Sequence, residues 1–329
     1  MRKIIIFILG ILIVIYGVLY LAVRQIPPVE PKIFGVTFSK FFAEKFGLDW
    51  KKVYEEILAD LGARHLRIPA YWTEVEPENG NWYFDDIDWQ LEKAKEYDAK
   101  VILAIGRKLP RWPECHEPAW VQSQNLNLKS QNLFEYMRKV VERYDENPAV
   151  IAWQVENEPF LPFGDCPLFG KEVLDEEIEI ARSLSDKPII ITDSGEFGAW
   201  FPAAKRGDIF GSTLYRHVRT KLIGHFTYPL PPSFFRLKQG LLKFFVREKP
   251  IIVVELQAEP WLPKMLYETS VGEHFKHFNP ERFKKELEYI KGTGFDTFYF
   301  WGVEWWYWLK QNGRPEMWDM AKEAIENTR

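Results

Sequence analysis

The chain has 329 residues, of which 47% are hydrophobic and 27% charged, and its formal net charge is -4. This composition is typical of a globular protein and excludes a disordered chain, and the slightly negative charge gives no reason to expect a nucleic-acid partner. With only two cysteines, Cys115 and Cys166, the sequence excludes a disulfide framework and a zinc cluster but leaves a single bridge between them open.

The N-terminal segment is uncharged and apolar from Ile4 to Val23. About 20 such residues, as a helix, span the hydrocarbon core of a bilayer. A signal peptide has a shorter apolar region that ends in a small-x-small cleavage site, and none is evident here. We therefore predict a transmembrane anchor at residues 1–24, with a cleaved signal peptide as the alternative, and a proline-rich stalk at 25–32. Basic residues flank the run on both sides, and we expect the bulk of the chain outside the cytoplasm.

From residue 33 onward, strand and helix patterns alternate regularly, which is typical of βαβ units around a parallel sheet. The predicted strands are 33–38, 63–68, 100–105, 150–157, 188–192, 208–215, 251–255 and 296–302. The predicted helices are 50–61, 85–97, 131–144, 172–184, 280–291, 315–326 and one within the proline-containing stretch 219–246. This pattern predicts an α/β fold, a single (β/α)8 barrel over residues 33–329.

Two of the predicted strands end in glutamate. The fourth runs into Glu156-Asn157-Glu158 and stops at Pro159, which cannot donate to a strand ladder. The seventh ends in Glu255. In a barrel of parallel strands, the C-terminal ends share the face on which active sites lie. Two glutamates on that face are the groups that glycoside hydrolysis requires, one as acid/base and one as nucleophile.

The chain resembles the retaining (β/α)8 glycosidases of clan A of the glycoside hydrolases, which include families 5, 39 and 42. The residues that carry the resemblance are Asn157-Glu158-Pro159 after the fourth strand, Glu255 on the seventh, Arg67-Ile68-Pro69 on the second, and the stretch from Trp72 to Asp85. The resemblance covers residues 33–329. It implies an O-glycosyl hydrolase that cleaves a β-linked oligo- or polysaccharide by double displacement, with carbohydrate as its partner and no cofactor.

The predicted roles follow from this reading. Glu158 is the acid/base, and repulsion from an ionised Glu255 is expected to keep it protonated. Glu255 is the nucleophile, with Arg67 as its neighbouring cation. Asn157 would bond the 2-hydroxyl of the sugar, and Tyr215, at the end of the sixth strand, would hold Glu255 in line.

Other residues at the same face are candidates for sugar contacts. They are Trp301 as a platform after the eighth strand, Trp112 and His116 in the loop after the third, and Glu196 after the fifth. No metal site is expected, because His274 and His277 lack an evident third ligand. The 14 tryptophans and 14 tyrosines fit either a large aromatic core or a cleft that stacks on sugar rings.

Three further glutamates rival the predicted pair. Glu156 lies two residues before Glu158 and would face the same side deeper in the barrel. Glu259 and Glu304 follow strand ends. Two other functions fit the same sequence, namely a transglycosylase, which uses a sugar in place of water, and a catalytically silent carbohydrate-binding barrel at the cell surface.

Overall fold

The structure, a computed structural model, describes residue 17 and residues 27–168, 170–220, 223–246 and 248–328. Apart from Gly17, the predicted membrane anchor at residues 1–24 therefore lies outside the described residues. Within the described ranges, no helix has both the length and the apolar character needed to cross a bilayer.

A closed parallel barrel forms the centre of the molecule. The strands of the described chain are β1 (Ile33–Thr37), β2 (His65–Pro69), β3 (Lys100–Ile105), β4 (Val150–Val155), β5 (Ile189–Asp193), β6 (Ile209–Leu214), β7 (His217–Thr220), β8 (Gly224–Thr227), β9 (Ile251–Gln257) and β10 (Thr297–Trp301). All except β7 and β8 belong to the barrel, in the circular order β1, β10, β9, β6, β5, β4, β3, β2. The prediction of a single (β/α)8 barrel is confirmed.

Helices surround this barrel. Those in the described chain are α1 (Lys40–Lys45), α2 (Trp50–Ala59), α3 (Trp72–Val75), α4 (Asp85–Glu96), α5 (Ala119–Gln122), α6 (Leu126–Tyr144), α7 (Lys171–Leu184), α8 (Phe201–Ala204), α9 (Ser233–Phe245), α10 (Val271–His277), α11 (Pro280–Lys291), α12 (Val303–Gln311) and α13 (Glu316–Glu326), with a 3₁₀ turn at Leu266–Glu268.

Local sequence explains where several helices begin. Asp49, Asn125 and Asn279 each accept a hydrogen bond from a backbone N–H in the first turn of α2, α6 and α11, respectively. Short polar side chains of this kind satisfy donors that have no partner within the helix. In α11, Pro280 follows its cap at the first helical position, where a missing N–H costs nothing.

The core lies in two layers, one between the barrel and its helices and one inside the barrel. Much of the aromatic content belongs to the core. Six tryptophans of the main core cluster are fully buried: Trp72, Trp153, Trp200, Trp305, Trp306 and Trp318. Inside the barrel, Ile102, Ala152, Ile190 and Tyr299 pack together. Gly35 makes room for Tyr299, because a Cβ at that position would lie 2.7 Å from its ring.

Three features differ from the sequence-based expectation. The stretch 219–246 contains α9 as expected, but the antiparallel hairpin of β7 and β8 precedes it. Strand β4 ends at Val155, before the predicted end at Asn157, since Glu156 (φ +57°) and Glu158 (φ +44°) have left-handed backbone conformations that turn the chain out of the strand. The predicted stalk, where it is described, lies against the protein, because Val29 N donates to the carbonyl of Lys291 at 2.8 Å.

Candidate active site

The barrel brings the two predicted catalytic glutamates to one face. Glu255 lies in β9, and Glu158 lies just beyond the end of β4. Because the barrel strands are parallel, their C-terminal ends meet at the same mouth. Both glutamates are buried. Little water therefore solvates either carboxyl, and the protein groups around each one determine which form it takes.

A β-bulge sets the direction of Glu255. Relative to its two neighbours β6 and β10, strand β9 has an extra residue just after Val253. At the bulge, the carbonyl of Val254 accepts hydrogen bonds from Thr37 Oγ1 at 3.0 Å and from Arg67 Nη1 at 3.4 Å. Bulges of this kind re-aim side chains and recur beside active sites.

Two donors hold the carboxylate of Glu255, one on each oxygen. Arg67 Nη1 donates to Oε1 at 2.9 Å, and the hydroxyl of Tyr215 donates to Oε2 at 2.9 Å. Arg67 is fully buried, so this ion pair is sheltered from solvent. Charge-assisted hydrogen bonds favour the ionised form of a carboxyl group and fix its orientation.

Arg67 also orients Asn157. Arg67 Nη2 donates to Asn157 Oδ1 at 2.7 Å, and Arg67 Nε donates to Gln154 Oε1 at 2.6 Å. With Oδ1 fixed as the acceptor, Asn157 Nδ2 is left as a buried donor with no hydrogen-bond partner among the described residues. A buried donor without a partner is costly, so this amide is suited to bind a polar atom of a ligand.

Glu158 has different surroundings. Its Oε1 accepts from Thr213 Oγ1 at 3.1 Å. Lys108 is close, but its Nζ donates to the backbone carbonyls of Asn157 and Glu158, at 2.9 and 3.1 Å. Burial raises the pKa of Glu158 well above the usual carboxyl range, and the nearby carboxylates of Glu255 and Glu114 raise it further. This carboxyl is therefore held in its protonated, proton-donating form.

Glu114 was missed by the sequence analysis. It lies in the loop between β3 and α5, is buried, and its Oε2 is 3.1 Å from Lys108 Nζ. Burial raises its pKa to about 7, Lys108 opposes the rise, and Glu255 adds to it. Because it lies in the middle of the loop after β3, away from the strand end and in no recognisable motif, nothing in the sequence distinguished it from an exposed loop glutamate.

Glu156, the main rival of Glu158, holds a loop. Its two carboxylate oxygens accept from the backbone N–H groups of Arg107 and Lys108, each at 2.8 Å. Gly106 makes this possible, because a Cβ there would lie 2.5 Å from Glu156 Oε1. Glu156 also adjoins Glu177 of α7, whose pKa is raised well above normal by burial and by Glu156. The expectation that Glu156 faces the barrel interior was wrong, since the strand ends before it.

The other two rivals form a separate ion-pair cluster. Arg111 donates to Glu259 Oε1 at 2.5 Å with Nη1 and to Glu304 Oε2 with Nη2. Its guanidinium lies between two rings, 3.9 Å from the centre of Phe42 and 4.0 Å from that of Trp301. Both carboxylates therefore share one cation, which is itself immobilised.

The four further candidates for sugar contacts lie in unlike environments. Trp301 is buried, with Arg111 over its ring, whereas Trp112 is 45% exposed. The ring of His116 packs on Tyr71, and its Nε2 contacts the Arg111 carbonyl at 3.3 Å. Burial lowers the pKa of His116 to about 4. Through these contacts, the His116 ring stabilises its own loop.

Glu196 and a row of aromatic rings surround Tyr215. Glu196 Oε1 accepts from the backbone N–H of Tyr215 at 2.9 Å, and burial raises the pKa of Glu196 to about 8. From Tyr215 the row continues through Trp261 (5.5 Å between ring centres) and Phe163 (5.6 Å) to Trp112 (6.1 Å). The row leads from the Glu255 carboxylate to an exposed tryptophan.

The two cysteines form a disulfide, which resolves the alternative left open above. The bond between Cys115 and Cys166 joins the loop after β3 to the loop after β4. Glu117 brings a carboxylate oxygen within 4.8 Å of both sulfurs. Since the sulfurs are bonded to each other and Glu117 pairs with Arg107 and Lys129, this group is a structural clamp.

Comparison with protein families gives a match over about half of the chain. Residues 30–199 match Cellulase (glycosyl hydrolase family 5). The matched stretch includes Arg67, Asn157 and Glu158.

Similar proteins are more distant. A 119-residue stretch is 24% identical to Beta-galactosidase Bga of Halorubrum lacusprofundi and covers 31% of this chain and 17% of that one. The structure of the beta-galactosidase from the same haloarchaeon aligns with a TM-score of 0.62 at 14% identity, over 90% of this chain and 58% of the other. GH5_18 from Streptomyces cattleya, in complex with GlcNAc, aligns with a TM-score of 0.61 at 14% identity, over 92% and 81% of the two chains. These structural likenesses show the shared barrel fold.

Proposed function

The chain belongs to glycosyl hydrolase family 5, and on that premise we propose that it hydrolyses O-glycosidic bonds of a β-linked oligo- or polysaccharide with retention of configuration. Glu255 is the nucleophile and Glu158 the acid/base. The observation that carries this assignment is that two buried carboxyls at one barrel mouth have different hydrogen-bond partners. Glu255 receives Arg67 and Tyr215, whereas no cation within the described ranges donates to the carboxyl of Glu158.

In the first step, a carboxylate oxygen of Glu255 attacks the anomeric carbon while Glu158 donates its proton to the leaving oxygen. Arg67 and Tyr215 hold the nucleophile in line and need no rearrangement when the reaction begins. Asn157 Nδ2 donates to the 2-hydroxyl, where a hydrogen bond can strengthen in the transition state.

In the second step, Glu158 has lost its proton and accepts one from water, which attacks the anomeric carbon and releases Glu255. The surroundings that raise the pKa of Glu158 suit both tasks. Once Glu255 is esterified, its negative charge no longer repels that of Glu158, so the ionised form of Glu158 becomes easier to hold.

The test is release of reducing ends by the full-length protein from β-glucan, β-mannan, β-xylan and β-galactan. We expect release from at least one of them and a loss of at least ~10³-fold in Glu255→Ala. Glu92→Ala, which removes an exposed glutamate of α4, is the matched control and should retain activity. Binding of the glycans without release by a folded protein would contradict hydrolysis and favour the silent binding barrel.

We also propose that residues 1–24 anchor the protein in a membrane, that 25–32 form the connecting segment, and that the barrel lies outside the cytoplasm. The uncharged run from Ile4 to Val23 supports the anchor. The disulfide supports the location, because such bonds persist mainly in oxidising compartments. On α9, Arg236 holds the carbonyl of Pro27, and two turns further on Phe244 (81% exposed) and Phe245 (61%) present apolar surface that a bilayer would cover.

Cell fractionation tests the anchor. The protein should stay with membranes after an alkaline carbonate wash, and protease added to intact cells should remove the barrel. A mature protein whose measured mass lacks the first residues would support the signal peptide in its place, and full resistance to protease would contradict the external location.

A further inference from the structure

The hairpin of β7 and β8 encloses a cavity beside the active site. The cavity lies between this hairpin and helices α10 and α11, and its volume is ≈ 160 Å³. On this measure a single water needs about 10–15 Å³, so the cavity has room for a group of several heavy atoms. The lining residues that matter here are His217, His225, Thr227, Trp261, His277 and Arg282. This is space for a carboxylate or sulfate group, and it is separate from the carboxylates described above.

The side chains that line this cavity are cationic or neutral. Four of the described lining residues can carry positive charge, and none is acidic. The acidic groups nearby already have partners. Glu286 Oε1 accepts from Arg216 at 2.7 Å and from His217 at 2.9 Å. Glu273 pairs with Lys276 at 2.8 Å and with His277 at 3.2 Å.

Two arginines at or near the cavity have no counter-ion among the described residues. Arg282 Nη1 contacts His217 Nδ1 at 3.3 Å, and Arg219 belongs to β7. Within the described ranges, neither guanidinium forms an ion pair with a carboxylate. Burial lowers the pKa of His225, and His277, Arg219 and Arg282 lower it further, whereas Glu273 opposes them. The cavity therefore has an excess of positive charge that a bound anion would neutralise.

One aromatic residue connects the cavity to the active site. Trp261 lines the cavity, and its ring centre is 5.5 Å from that of Tyr215, whose hydroxyl holds Glu255. Gln257, two residues after Glu255 on β9, accepts from the backbone N–H groups of Arg216 and His217 at 3.0 and 2.8 Å. The same strand thus positions the nucleophile and the hairpin. A saccharide in the cleft would reach the cavity across the ring of Trp261.

We propose that this cavity binds the anionic group of an acidic sugar unit in the substrate, either the carboxylate of a uronic acid or the sulfate of a sulfated sugar. The guanidinium of Arg282 pairs with two oxygens of such a group, and His225 and His277 donate to the remaining ones. Trp261 stacks on the sugar ring. This inference rests on the proposed function, because it names the substrate class that the hydrolase takes.

The first test measures binding directly. Full-length protein in a non-saccharide detergent is titrated with methyl β-D-glucuronide, methyl β-D-glucoside and sodium sulfate. We expect the glucuronide to bind at least tenfold more tightly than the glucoside, and Arg282→Gln to abolish this preference. Arg138→Gln, which removes an exposed arginine of α6, is the matched control and should retain the preference.

His225→Gln provides a second variant at an exposed position of β8, where the imidazole ring stacks on that of His277 with 3.5 Å between ring centres. It should weaken glucuronide binding without changing the affinity for the glucoside. Equal affinities of the wild type for the two glycosides would overturn the proposal, as would an equal loss in Arg138→Gln. Sulfate that binds at the cavity but is not displaced by glucuronide or by a sulfated sugar would identify a free-anion site and would also overturn it.

Hydrolysis assays distinguish a failure of this inference from a failure of the proposed function. On an acidic glycan, Arg282→Gln should raise KM at least tenfold, whereas the control Arg138→Gln should leave KM on acidic and neutral glycans unchanged. Hydrolysis of neutral glycans with no preference for acidic ones would remove the cavity proposal and keep the hydrolase. Arg282-dependent binding of glucuronide by a protein that hydrolyses nothing would remove the hydrolase and keep the cavity.

Discussion

Two groups of glutamates lie at the same mouth of the barrel and differ in what faces their carboxyls. Glu259 and Glu304 share one guanidinium, that of Arg111, which two aromatic rings hold in place. Glu255 has an arginine and a tyrosine on its two oxygens, and Glu158 has a threonine hydroxyl. All four side chains are buried, so burial does not distinguish them.

The distinction lies in where the positive charges are placed. In the Arg111 cluster, two carboxylates share one cation, which opposes the rise that burial causes in the pKa of each, and the arrangement joins two loops to α12. At the proposed catalytic pair, the cation contacts only one member, and the other is left with a raised pKa. A carboxyl pair in which a cation and a tyrosine hold one member and the other keeps a raised pKa can perform both acid and nucleophile chemistry, whereas two carboxylates that share one buried cation hold the structure together.

The largest expected effect concerns activity. Glu255→Gln should lower kcat by at least ~10⁴-fold, because the amide cannot form the glycosyl-enzyme bond. Glu259→Gln should change kcat by less than ~10-fold, since its carboxylate pairs with Arg111 and the Trp301 side chain rather than with the proposed catalytic pair. Initial rates of the two variants on the same glycan measure the contrast. Similar losses in both would show that the two clusters are not functionally distinct.

The next effect concerns stability. Arg111→Met should lower the free energy of unfolding by about 3–5 kcal/mol, because it leaves two buried carboxylates without their cation. Arg143→Met, which breaks an exposed pair with Asp88, is the control and should cost no more than about 1 kcal/mol. Urea denaturation compares them. Equal losses in the two variants would argue against a structural role for the Arg111 cluster.

A smaller effect tests Glu114. Activity falls at high pH when Glu158 loses its proton, so the alkaline limb of the pH profile of kcat/KM reports the pKa of Glu158. The negative charge of Glu114 raises that pKa. Glu114→Gln removes the charge, lowers the pKa of Glu158 and should shift the alkaline limb to lower pH by up to about one unit. An unchanged limb, or a shift to higher pH, would exclude this coupling.

The sequence was sufficient for the barrel and for the elements that bring the site together. Alternating strand and helix patterns predicted β3 and α11 with their observed bounds. Strand-end positions placed Glu158, Glu255 and Arg67 at one face, because all strands of a closed parallel barrel have their C-terminal ends on the same face. Such inferences need only local patterns and one topological rule.

Contacts between loops could not be predicted in the same way. Arg111, Glu259 and Glu304 are far apart in the sequence, and nothing local indicates that a guanidinium joins them. Glu156 was misplaced because its left-handed backbone conformation depends on the two N–H groups that its carboxylate binds in another loop. The hairpin of β7 and β8 was missed because its strands are short and no strong turn signal separates them.

The stereochemistry of hydrolysis tests the central claim most directly. With the glycan that the protein cleaves, proton NMR of the anomeric signals follows which product anomer appears before mutarotation. Attack by Glu255 followed by attack of water predicts that a β-linked substrate releases the β-anomer first. Initial release of the α-anomer would mean a single displacement by water and would contradict the assignment of Glu255 as the nucleophile.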